Sequence, residues 1–220
     1  MNSALPIPPT VSAMTVAVIV LAAGGSRRLG RPKQLVSWRG RPLLQGVVDA
    51  VAAWPADVRV VVLGSSAEEI LDAVDFGDAI VAINEDWEEG IASSVRVGFD
   101  ILGRDAAVER AFVALGDQPE IPPEVPQGLL EAAEWSDRPA IVPVYRYEGA
   151  NPVLFDRRLW QRLMALEGDR GASDLLRAHP EWVEEVRFDH LPPRDVDIEA
   201  DVADLGGDPK RPGTDPASNR

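Results

Sequence analysis

The chain has no cysteine and only two histidines in 220 residues. Disulfides, thiolate zinc sites, iron–sulfur clusters and cysteine nucleophiles are therefore excluded. His179 precedes a proline and His190 sits in a proline-rich stretch, neither beside a partnered nucleophile, so both read as structural or solvated. The Ser-x-x-Lys, Gly-x-Ser-x-Gly and His-Glu-x-x-His arrangements are absent as well. No run reaches the ~18 uninterrupted apolar residues of a transmembrane helix. Positive charge is scarce: 22 Lys and Arg against 36 Asp and Glu give a formal charge of -14. That balance argues against partnership with nucleic acid or an anionic membrane. Residues 1–13 lack the basic end and apolar stretch of a signal peptide, so the expected compartment is the cytoplasm.

What is present fits one α/β domain. Aliphatic, β-branched runs recur at 16–22, 58–63, 79–83, 111–115, 140–144 and 183–188. Helix-like segments separate them at 43–53, 67–74, 91–102, 126–134, 157–166 and 172–178. This alternation predicts a Rossmann-like, doubly wound, mostly parallel sheet in a single domain over 15–205. Residues 1–14 read as a flexible extension, with Met14 a second candidate start, and 206–220 as a disordered tail without an apolar anchor.

In such sheets ligands bind outside the carboxyl ends of the strands. The first strand runs into Ala22-Ala23-Gly24-Gly25-Ser26, small enough for close approach to the backbone, and Arg27, Arg28 and Lys33 follow. Bare amides beside concentrated positive charge suit a polyphosphate, a sharper signal in an acidic chain. An ordinary strand-to-helix turn with solvated arginines has the same composition. A Walker loop is ruled out because Arg31 and Pro32 follow Gly30 where Lys and Ser/Thr are needed, and no G-x-G-x-x-G dinucleotide spacing occurs. After the fourth apolar run comes Asp117-Gln118-Pro119, which reads either as a turn or as a carboxylate at a strand tip, where it could meet a hard cation.

Leu21, Ala22, Ala23, Gly24, Ser26, Arg28, Leu29, Gly30, Lys33 and Leu35 resemble, in a fixed frame, the signature L-A-A-G-x-S-x-R-[ML]-G-x-x-K-x-L. That signature belongs to the molybdenum-cofactor, or MobA-like, nucleotidyltransferases. The resemblance covers roughly 15–205 and implies the nucleotide-diphospho-sugar transferase type of fold. It further implies that the loop holds a nucleoside triphosphate through Leu21, Ala22, Ala23, Gly24, Gly25 and Ser26. Arg28 and Lys33 would offset charge at the reacting phosphates. Residues 112–119 resemble the family's L-x-D-Q-P, whose aspartate holds the catalytic metal, Mg2+ in this reading, a role that falls on Asp117. Residues 195–201 are similar, more loosely, to its D-[IV]-D-T-P-E-D closing motif, which makes Asp197 the second expected metal ligand and Asp195 next in line. An acidic, solvated loop is the plainer alternative.

Asn84 to Gly98 resembles N-x-x-W-x-x-G-[MI]-x-S-S-[LV]-x-x-G, in which Gly90 and Ser94 would meet the base or ribose and Trp87 would wall the pocket. Simple helix capping by Ser93 and Ser94 is the alternative. Trp38, Trp54, Trp135, Trp160 and Trp182 read as packing residues. On the acceptor side Asn151 replaces the histidine common in G-x-P-V-L-F, and Asp169 and Gly171 belong to a G-D-x-G-A element followed by Ser173 rather than a basic residue. The resemblance thus implies Mg2+-dependent transfer of CMP from CTP to the phosphate of molybdopterin, with release of pyrophosphate and a molybdenum hydroxylase as recipient of the product. Ala23 favours CTP, since guanylyltransferases of the family usually have Leu-Ala-Gly-Gly. Alternatives are GTP on the same pterin, transfer to another phosphorylated metabolite, an NAD(P)H-dependent oxidoreductase, and a non-catalytic cofactor chaperone.

Overall fold

The computed structural model describes residues 14–26, 29–146, 148–195, 201 and 208–212. Its central strand, β1 (Thr15–Ala22), is aliphatic at almost every position because both of its faces are buried. Val18, Val20 and Ala22 pack to one side with Leu44, Val47 and Val61. Ala17, Ile19 and Leu21 pack to the other with Val62, Val95 and Phe99. Val18, Ile19 and Val20 are almost fully buried, and each contributes roughly 1.5–3 kcal/mol relative to an exposed side chain.

Chain order then gives β2 (Val36–Trp38), β3 (Arg41–Pro42), α1 (Leu43–Ala52), β4 (Val58–Leu63), α2 (Ala67–Ala73), β5 (Ile80–Ile83), α3 (Ile91–Gly103), β6 (Val108–Leu115) and α4 (Glu124–Trp135). It continues through β7 (Ala140–Tyr145), β8 (Glu148–Gly149), β9 (Val153–Asp156), α5 (Trp160–Met164), α6 (Ala172–Ala178), β10 (Val183–Phe188) and β11 (Asp208–Pro212). Residues from α1, α2 and α4 pack on the first face of the sheet, and residues from α3, α5 and α6 on the second. In α3 the buried Ala92, Val95, Phe99 and Leu102 recur every three or four residues, the stripe a covering helix requires. Among the described residues no helix is long and apolar enough to cross a membrane.

The main sheet runs β10-β7-β9-β6-β1-β4-β5, with β8 paired to β7. The β1–β4, β1–β6, β4–β5 and β7–β10 pairs are parallel, so the doubly wound, mostly parallel sheet expected from the sequence is what forms. From β1 the chain winds outward to β4 and β5, then returns to place β6 on the other side of β1. The carboxyl ends of β1 and β6 therefore flank a topological switch point, where a crevice opens in this class of sheet.

Two features differ from the sequence reading. β9 is inserted antiparallel between β6 and β7. Its apolar run is only Val153-Leu154-Phe155, too short to register as a strand against the flanking Pro152 and Asp156. Within the segment read as a disordered tail, Asp208–Pro212 pairs with β2 in a small sheet of order β11-β2-β3. Backbone pairing of this kind needs no apolar periodicity. Trp135 departs from the packing role expected of it: at the end of α4 it is 69% exposed, whereas Trp38, Trp54 and Trp160 are buried.

Candidate active site

A cavity of about 520 Å3 opens at the switch point. The end of β1 and its loop, Leu21 to Gly25, form one wall, and Leu115, Gly116 and Asp117 at the end of β6 form another. Lys33, Gln34, Trp87, Glu88, Gly90, Ile91, Ser94 and Asp169 complete it. Segments separated by up to 148 residues of chain, Leu21 to Asp169, thus meet at one cavity.

The first loop is held by its carbonyls. Leu21 O accepts the Gly116 N–H at 2.9 Å and Ala23 O accepts the Ser65 N–H at 3.0 Å. Gln34 Nε2 donates to Ala22 O at 2.7 Å and to Gly24 O at 3.1 Å. With four consecutive carbonyls engaged inside the protein, the loop presents little negative dipole to an anion. The Gly24 and Gly25 N–H groups, by contrast, donate to no described residue. Trp87 lies against this loop so closely that a Cβ on Gly25 would come within 2.7 Å of its ring. Ser26 is not on the cavity wall; its hydroxyl accepts the Lys33 N–H at 2.9 Å, and its carbonyl accepts from Leu29 and Gly30. Its part is to shape the turn that carries Lys33.

Gln34 is 1% exposed and was missed by sequence reasoning, which passed from Lys33 to Leu35. The available signal was an uncharged polar residue within the otherwise apolar Leu35-Val36 approach. Replacing it with leucine leaves two carbonyls unpaired, at a cost of about 1–3 kcal/mol. Gln34→Leu is expected to lower the unfolding free energy by that amount and to weaken triphosphate binding, as read by denaturant titration and calorimetry.

Lys33 Nζ forms an ion pair with Asp117 Oδ2. The carboxylate is mostly buried, and its other oxygen, Oδ1, is buried without a hydrogen-bond partner among the described residues. A carboxylate oxygen that meets no described donor, on a residue lining the cavity, suits a cation. Asp117 therefore fits a hard divalent ion. Among the described residues no three His, Cys, Asp or Glu side chains converge. Gln118 Nε2 donates to Asp195 Oδ1 at 2.6 Å, which ties Asp195 to the residue that follows Asp117. Asp197, Arg27 and Arg28 lie outside the described residues.

The opposite wall is built on Gly90 and the start of α3. Gly90 has φ +108°, and Ala92 N donates to Gly168 O at 3.2 Å, so the Gly168–Asp169 turn is docked against it. Ser94 is buried on the cavity wall. The structure thus brings Leu21, Ala22, Ala23, Gly24, Gly25, Lys33, Gly90, Ser94, Asp117 and Asp169 together at one cavity. Asn151 and Gly171 stand apart from it. Asn151 O accepts from the Tyr145 hydroxyl at 3.1 Å, and burial pushes that phenol well above its ordinary pKa, keeping it a donor. Gly171 N donates to Asp174 Oδ2 at 3.2 Å and starts α6. His179 stacks on Trp182 and pairs with Glu181, while His190 pairs with Glu124.

A parallel sheet with a glycine loop, a lysine and a cation-seeking aspartate at its switch point defines a nucleotidyltransferase of the nucleotide-diphospho-sugar transferase fold. Residues 18–183 match the MobA-like NTP transferase domain, and the chain belongs to that family. It is 30% identical over 179 residues to the nicotine blue oxidoreductase of Paenarthrobacter nicotinovorans, covering 75% of this chain and 82% of that protein. Among solved structures it is similar to Rv0371c of Mycobacterium tuberculosis H37Rv, with a TM-score of 0.80 at 30% identity over 88% of this chain and 98% of the other. A manganese complex of Rv0371c superposes with a TM-score of 0.75 at 27% identity, covering 87% and 97% of the two chains.

Proposed function

We propose that this chain is a Mg2+-dependent cytidylyltransferase that moves CMP from CTP to the phosphate of molybdopterin and releases pyrophosphate. The observation that carries the reading is the Lys33–Asp117 pair lining the same cavity as the Leu21–Gly25 loop at the switch point. The triphosphate lies along that loop, its oxygens facing the Gly24 and Gly25 amides. Asp117 holds the divalent ion, with Asp197 as the second carboxylate in this reading. When bound, that ion neutralises charge on the phosphates and fixes their orientation. Lys33 turns from Asp117 to the phosphate oxygens, and Arg28 adds a second cation. The acceptor phosphate attacks the α-phosphorus in line, the new P–O bond forms as the bond to the β-phosphate oxygen breaks, and pyrophosphate departs. No protein nucleophile is needed, because positioning and electrostatics supply the acceleration.

Ala23 supports CTP. The acceptor enters past Asp169, with Asn151 and Gly171 in the flanking elements, and a molybdenum hydroxylase receives the product in the cytoplasm. The deciding experiment is pyrophosphate release with each of the four triphosphates and Mg2+, with and without molybdopterin. Release with CTP that depends on the pterin is the expected result. Preference for GTP, or release with a different phosphorylated acceptor, would overturn the assignment.

One relative's name, nicotine blue oxidoreductase, favours a second reading as an oxidoreductase, which we take to use NAD(P)H. It requires a cofactor-dependent absorbance change with purified protein and no pyrophosphate release.

A further inference from the structure

Asn84 follows β5, is 2% exposed, and has every polar atom of its carboxamide engaged. Its Oδ1 accepts the Asp86 N–H at 3.0 Å. Its Nδ2 donates to Ser93 Oγ at 2.7 Å and to Ser94 Oγ at 3.0 Å. A backbone N–H can only donate, so the bond from Asp86 settles which end of the amide is oxygen and turns the NH2 group toward the serines. Both hydroxyls are therefore acceptors toward Asn84, and each keeps one proton. Ser93 gives its proton to Gly90 O at 2.8 Å. Ser94, on the cavity wall, gives its proton to no described residue.

We infer that Asn84 is a specificity-determining positioning residue that presents the Ser94 hydroxyl to the bound base as a donor. A ligand that donated to Ser94 Oγ instead would use its last lone pair and strand the proton without an acceptor. The inference deepens the cytidylyl reading and rests on it. Cytosine offers an acceptor at N3, where uracil carries a hydrogen. Asn84 thus selects cytosine over uracil through Ser94 without touching either base.

Asn84→Asp is close to isosteric and reverses the polarity. One carboxylate oxygen still accepts from Asp86, and the other accepts from Ser94, whose lone pairs then face the cavity. The expected result is a fall of about 10- to 100-fold in the CTP:UTP ratio of kcat/KM, the scale of a hydrogen bond to a buried group gained or lost. Equilibrium binding of the two nucleotides, followed by tryptophan fluorescence, is expected to show the same shift, which a merely structural defect would not produce. Ser94→Ala should bring the ratio toward one, and adding Asn84→Asp to it should change nothing further. If wild type prefers CTP and neither substitution moves the ratio, the inference is overturned while the cytidylyl reading stands. If wild type binds no nucleoside triphosphate, or prefers a purine, the reading itself fails. If Asn84→Asp does not fold, Ser94→Ala decides alone: a ratio near one supports the donor role, and an unchanged ratio overturns it.

Discussion

Asp117→Ala and Lys33→Ala are each expected to lower turnover by at least ~100-fold, the scale of losing a preorganised electrostatic group. The two side chains neutralise one another, the lysine about one fifth exposed and the carboxylate under one tenth. That pairing has a purely structural explanation as well, an ion pair joining the turn after β1 to the tip of β6. The kinetics separate the two. A structural pair lost on either side lowers the melting temperature and leaves the turnover of the folded fraction intact. Groups that meet the reacting phosphates lose turnover even when folded. Asp117→Asn sharpens the comparison, because it preserves shape and removes only charge. Its expected turnover is as low as that of the alanine variant, with saturation by divalent metal weakened. Near-normal turnover in Asp117→Ala contradicts the metal assignment.

Gly90→Ala is expected to damage fold and site together. The backbone there combines φ +108° with ψ 179°, a region open to glycine almost alone. A Cβ would stand 2.5 Å from both the carbonyl carbon and oxygen of Gly168 and 2.6 Å from Asp169 Oδ1. The first two are backbone atoms and cannot swing aside. Backbone strain of about 1–3 kcal/mol is thus joined by overpacking of about 1–3 kcal/mol. To relieve it the Gly168–Asp169 turn must move off the start of α3, taking Asp169 from the cavity and loosening Ser94. Denaturant titration should show the lost stability, and triphosphate affinity should fall at least ~10-fold in parallel. An alanine variant of wild-type stability would show that the turn is not held against Gly90.

Much of the site was legible because its residues announce themselves locally. The aliphatic run into Ala22-Ala23-Gly24-Gly25, the aspartate after β6 and the Gly90–Ser94 helix start each sit at the carboxyl end of a strand, and a parallel sheet gathers such ends. What escaped is what depends on contacts across the fold. Gln34 looks like any polar residue until the carbonyls of Ala22 and Gly24 are seen within its reach. Asn84 stands within a recognisable motif, yet its role follows only from the opposed partners of its two amide ends. β9 was concealed because a three-residue apolar run gains its strand identity from β6 and β7 on either side. β11 was hidden for the related reason that pairing with β2 is a property of backbone rather than of side-chain pattern. Asn151 and Gly171 rest on motif alone, and neither lines the cavity.

The most direct test of the central claim is a crystal soaked with CTP and Mn2+, with the ion located by its anomalous signal. The account predicts manganese on the Asp117 carboxylate and a triphosphate over the Leu21–Gly25 loop, with Lys33 turned toward its oxygens. Manganese bound away from Asp117, or a nucleotide seated elsewhere on the molecule, contradicts it.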